Sequence, residues 1–161
     1  MANTRETLGD QATLDGLVAN TLTSLEENGV TTIAKPLYGR TALTSVKFPN
    51  LTSTGTGTFE NCTGLETVDL CEGGSACTVG ATAFSGDMNL KHLIVRSNTM
   101  STLSNTNALT GTKIEKWEGV VYVPNDLIST YKANVNWKRY IIVGLDNYPL
   151  SNEDIDSEFY E

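Results

Sequence analysis

Histidine occurs once in these 161 residues, cysteine three times, and no apolar run approaches membrane-spanning length. Each scarcity excludes something. With His92 as the sole imidazole and no CxxC pair, the ligands for a zinc site are lacking, so no metal or other cofactor is expected. A Ser-His-Asp arrangement would also have to use His92. No stretch reaches the roughly 18 apolar residues of a spanning helix, and "MANTRETLGDQATLDGL" has no apolar core behind a basic head. The expectation is a chain made in, and initially staying in, a bacterial cytoplasm. There Cys62, Cys71 and Cys77 read as small buried apolar side chains, with a local Cys71–Cys77 bridge as the alternative. Basic residues are also few: 11 Lys and Arg against 19 Asp and Glu give a net charge of -8. That balance repels phosphate backbones and anionic lipid, so neither nucleic acid nor membrane is an expected partner.

What the sequence has in excess is threonine, at 23 residues, and a repeated phrase. Threonine suits half-buried strands and turns better than helix interiors. The phrase is "RTALTSVKF" at 40–48, "CTGLETVDL" at 62–70 and "DMNLKHLIV" at 87–95. All three share one apolar skeleton: Leu43, Val46, Phe48; Leu65, Val68, Leu70; Leu90, Leu93, Val95. Six residues ahead of each leading leucine stand Leu37, Phe59 and Phe84, and Leu109 continues that series. "LTSL" at 22–25 carries the register backwards. Within a unit the last residues alternate as a short, one-side-buried strand does, and "GRTA", "NCTG" and "SGDMN" supply turn residues before it. A strand this short is unstable alone. Stacking the units pairs the strands in parallel and joins their apolar residues into one interior. The predicted fold class is an α/β solenoid with a short parallel sheet, in which Val46, Val68 and Leu93 lie on successive rungs.

The segments "LYGRTALTSVKFPNLTSTGTGTFENCTGLETVDL" and "VGATAFSGDMNLKHLIV" resemble the BspA-type leucine-rich repeat, whose units run "IG..AF.GC..L..V.LP..V..". The resemblance covers about residues 22–124. Departures are Leu37 in place of the usual Phe, Arg40 and Asp87 at the Cys position, and the insertion "CEGGSAC". An open stack needs covered ends. Leu14, Leu17, Val18, Leu22 and Leu25 at helical spacing predict a capping helix over about 10–21. Pro124, Asn125 and Asp126 open a second helix through about Ala133, with Trp137 and Tyr140 covering the far edge. The division is thus 1–21 N-terminal arm and helical cap, 22–124 repeats, 125–145 C-terminal helical cap and 146–161 acidic arm. "VYVPNDLISTYKANVNWKRY" resembles the closing segment of such repeat proteins encoded by phages and prophages of gut bacteria, which implies a setting among virion structural proteins.

Chemistry is sparse. "STGTGT" and "EGGSA" lack the Lys-Ser/Thr ending and following helix of a phosphate cradle, and "NEDIDSE" lacks the central Gly of a calcium loop. No catalytic residue is assigned. The outward strand positions offer Lys47, Asp69 and His92 as a candidate partner-binding face, with His92 expected to be solvated. The C-terminal Tyr148, Leu150, Ile155, Phe159 and Tyr160 offer a second, as an extended arm across a neighbouring subunit; docking on the chain's own domain is the alternative. The expected role is a non-enzymatic virion structural protein, contacting capsid or tail proteins and itself. An adhesin binding a host-surface protein or glycan is the competing reading.

Overall fold

The computed structural model describes residues 20–33, 37–151 and 153–154. Its strands are β1 (Ser24–Glu26), β2 (Ser45–Phe48), β3 (Thr67–Leu70), β4 (Thr78–Val79), β5 (His92–Val95), β6 (Thr102–Leu103), β7 (Val120–Val123) and β8 (Ile142–Gly144), and the helix α1 spans Ile128–Ala133. Six strands form one all-parallel sheet in the order β1-β2-β3-β5-β7-β8. The register is the one the repeat predicts: Leu25 pairs with Val46, Val46 with Val68, and Val68 with Leu93. These inward residues are all at most 3% exposed. The result fits a leucine-rich-repeat type of fold, because side chains at alternate strand positions share one face while their neighbours share the other.

Behind the sheet, Phe59 and Phe84 stack at 5.5 Å between centroids with their planes 2° apart, and Leu37 and Leu109 extend the column as buried neighbours. Leu43, Leu65, Leu90 and Ile114 form a second fully buried column. The turns also bond rung to rung: Phe59 N–H donates to the Ala83 carbonyl at 2.8 Å and Phe84 N–H to that of Ala108 at 2.9 Å. Each rung therefore satisfies its backbone on its neighbours, which is how segments too short to stand alone become ordered.

A second parallel ladder, absent from the sequence reading, runs through the bridges Thr32–Ser53 and Ser53–Thr78 and the pairing of β4 with β6. Cys71 and Cys77, flanking the "CEGGSAC" insertion, form a disulfide, while Cys62 remains a buried thiol. The bridge thus replaces the expected pair of separate apolar thiols and closes the insertion before β4. Close packing of rungs explains Gly80. A Cβ there would lie 2.1 Å from the Gly55 carbonyl oxygen and 2.9 Å from Thr56 N, both backbone atoms that cannot swing away. Gly80→Ala is expected to lower stability by roughly 1–3 kcal/mol, the range for overpacking. A urea midpoint equal to that of the unsubstituted chain would show that the rungs part easily here.

At the C-terminal end, α1 forms where the sequence placed a helix, preceded by a 3-10 turn at Asn125–Leu127. The edge is not closed as expected, however. After Trp137 and Tyr140 the chain returns to the sheet as β8, so the far edge carries one more strand, with Ile142, Val143 and Gly144 buried. The expected N-terminal helix falls almost wholly on residues outside the described set.

Candidate interaction surface

The outward face of the sheet changes chemistry midway. In one register column Ser24, Ser45 and Thr67 lead to His92 and Val120. In the other, Glu26, Lys47 and Asp69 lead to Ile94, Tyr122 and Val143. The β1–β3 half is polar and open, and its residues line a shallow depression between rungs. The β5–β8 half is apolar and holds its own small cluster, separate from the main core: Ile94, Val120, Tyr122 and Val143, all at most 4% exposed.

On the polar half Lys47 and Asp69 are each in an ion pair. Lys47 Nζ meets Glu72 at 2.9 Å, and this hydrogen bond raises the lysine pKa and lowers that of Glu72. Asp69 receives both Arg96 Nε at 2.8 Å and Nη2 at 3.0 Å, a bidentate fork that raises the arginine pKa further. Asp69 is thereby held in one orientation, and Lys47 lies beside it on the neighbouring rung. Such a surface suits a polar partner with alternating charge, because the charged groups are already oriented and lose little freedom on contact.

His92 differs from expectation. It lies on the outward face but is 8% exposed. Tyr148 covers it, with ring centroids 5.7 Å apart at 86°, and the same tyrosine sits edge-on to Tyr122 at 4.9 Å. Beneath, His92 Nδ1 lies 2.8 Å from the Tyr122 hydroxyl, which also accepts the Leu150 N–H at 3.1 Å. A neutral imidazole lets that hydroxyl donate to Nδ1 while accepting from Leu150. Burial accordingly holds His92 below the usual imidazole range, with Lys91 adding to the effect and Glu66 opposing it, and burial pushes the Tyr122 hydroxyl up to about 12. His92 is thus part of a covered polar contact and is withdrawn from the open face that Lys47 and Asp69 share.

The C-terminal residues expected to reach a neighbour do the covering. Tyr148 and Leu150 lie against the chain's own sheet. Ile155, Phe159 and Tyr160 lie outside the described residues. Sequence reasoning placed Ile94 on the outward face but missed Tyr122 and Val143 as outward-facing apolar positions. The available signal was "LIV" at 93–95 and "VVYV" at 120–123, runs without a charged residue where "SVKF" and "TVDL" alternate.

Among the described residues no group of His, Cys, Asp and Glu side chains is placed to hold a metal ion, and no helix is long and apolar enough to cross a membrane. No curated protein and no solved structure matches the chain significantly. The family description "BspA type Leucine rich repeat region" matches residues 19–123 in six copies. That span covers most of the chain and coincides with the parallel rungs from β1 to β7. The chain belongs to the BspA-type leucine-rich repeat family.

Proposed function

We propose that the chain is a non-enzymatic component of a phage particle, a repeat module that binds capsid or tail proteins through the polar half of its outward sheet face. The family points to a protein–protein interaction or adhesion module; the phage setting is inferred from the closing segment at residues 121–140. The observation that carries the binding reading is the row Glu26, Lys47, Asp69, a register column of alternating charge on the polar β1–β3 half, whereas the β5–β8 half of the face is covered. The acidic net charge fits assembly with protein partners and disfavours nucleic acid.

The test has two parts. Mass spectrometry of purified particles is expected to find the chain in stoichiometric amounts. The variant Lys47→Glu/Asp69→Lys, which also loses the pairs with Glu72 and Arg96, is expected to lower its incorporation at least tenfold while the isolated chain still melts cooperatively above the assay temperature, because reversed charges repel a complementary partner. Absence from particles rejects the virion setting. An adhesin would instead give saturable binding to cells or glycans that the same double variant abolishes, a reading favoured by the hydroxyl column Ser24, Ser45, Thr67 beside the charges.

A further inference from the structure

The apolar half of the outward face has an unusual occupant. A leucine-rich-repeat sheet turns one side to the core, and here its other side carries a second apolar cluster, of which Tyr122 and Val120 are wholly buried. What buries it includes a short strap, Tyr148–Leu150, lying across the sheet. The strap contributes an aromatic ring against His92 and Tyr122 and, two residues on, a half-buried leucine against the cluster. Its backbone anchor on the sheet is the Leu150 N–H on the Tyr122 hydroxyl.

We propose that this face is a second interaction surface whose ligand is the Tyr148–Leu150 segment itself, exchangeable between two copies of the chain. The surface reads an aromatic side chain and an aliphatic one two positions later, both of which lie against it. The strap is held to the body lightly. The turn before it, Leu145–Asn147, is tied back through exposed hydrogen bonds between Asn125 and Asp146, and Tyr148 itself is 37% exposed. A segment with so few buried contacts opens at low cost compared with the core rungs. Once it opens, Ile94 and Tyr122 face solvent, and an apolar patch of this kind favours reoccupation.

The segment already occupies the patch, beside Ile141 and Leu145, and every copy of the chain carries it. In an isolated molecule the strap's own effective concentration, in the millimolar range for a short tether, keeps it closed in cis. Where copies are crowded, the identical contacts form in trans at no loss of pairing, as in domain swapping. The proposal is independent of the phage setting, since it concerns one surface and one segment of this chain.

The test uses the full chain carrying Tyr148→Ala and Leu150→Ala, which keeps the face and disables its own strap. The probe is a fluorescein-labelled peptide of residues 145–154, LDNYPLSNED. Saturable binding to the double variant, at least tenfold tighter than to the unsubstituted chain, is expected, together with no binding of a peptide carrying the same two alanines. Equal affinity for both chains, or no binding to a double variant that still melts cooperatively, overturns the proposal. If the double variant does not fold, Leu150→Ala alone gives the same comparison with a gain of about threefold, and an unchanged affinity there overturns it equally. A strap that was merely structural would leave peptide binding absent in every chain.

Discussion

Trp137→Ala is expected to cost about 3–5 kcal/mol, the range for deleting a fully buried large aromatic side chain. Trp137 is 0% exposed, and its indole packs edge-on to Tyr131 at 5.4 Å. Volume alone would place the loss at the lower end. The hydrogen bonds raise it. Trp137 Nε1–H donates to the Ser101 carbonyl at 2.9 Å, Ser101 N–H donates to the Tyr131 hydroxyl at 2.8 Å, and Ser101 Oγ accepts the Cys77 N–H at 2.9 Å. The substitution therefore opens a cavity and also strips a partner from a buried carbonyl that water does not reach. Because Ser101 leads directly into β6, the second ladder should loosen first. Amide exchange at Thr102 and Ser104, which donate to the Cys77 and Val79 carbonyls, is expected to accelerate more than exchange in β2 and β3. Val135→Ala, at a residue 73% exposed a short way along the same segment, should stay within about 0.5 kcal/mol. Urea denaturation of the two variants decides the matter. A loss below about 1 kcal/mol for Trp137→Ala would mean that this segment does not hold the last rungs.

The parts legible in the sequence are those in which one residue type does the same physical task at a fixed interval. Leu43, Leu65 and Leu90 are buried in every unit, so their period gave the rungs, and Val46, Val68 and Leu93 followed by strand alternation. The second ladder escaped because its strands β4 and β6 are two residues long and built from Thr, Val and Leu with no room for a pattern. Its other members, Thr32 and Ser53, are single bridges. β8 escaped for a different reason: "IIVG" follows the closing segment, where a repeat argument expects the sheet to have ended. The site was half legible. Lys47 and Asp69 lie on the outward face because register alone puts them there. His92 has the same register, but its burial depends on Tyr148, which lies far along the chain on no repeat. Composition read the acidic C-terminal region as an arm. Tyr148 and Leu150 instead find an apolar face that exists only because β5 and β7 abandon alternation.

The residue that replaces the family's Cys in the third unit carries the other large expected effect. Asp87 is 0% exposed; its Oδ1 accepts the Cys62 N–H at 2.7 Å, and its Oδ2 is buried with no partner. Burial pushes its carboxyl up to about 9, with the Cys62 N–H bond opposing the rise and Glu60 adding to it. In the unfolded chain an Asp titrates near its ordinary value of about 3.9. Below that value both states hold the proton and the shift has no consequence. Between about 4 and 9 the unfolded chain has released the proton and the folded chain retains it, so stability falls as pH rises through this window. Asp87→Asn removes the titration while keeping the shape: the amide oxygen can accept from Cys62, and the amide nitrogen takes the place of the unpartnered Oδ2. The variant is therefore expected to match the parent near pH 4 and to exceed it at pH 7 by roughly 1–3 kcal/mol, the scale of one buried group relieved of its desolvation. Cys62 does not interfere, because burial pushes its thiol up to about 12 and it stays protonated throughout. Urea midpoints at about pH 4, 5.5, 7 and 8 read the slope directly. An advantage of the Asp87→Asn variant that is absent at pH 7, or constant across the series, would mean that the carboxyl is ionised in the folded state and that an additional donor reaches Oδ2.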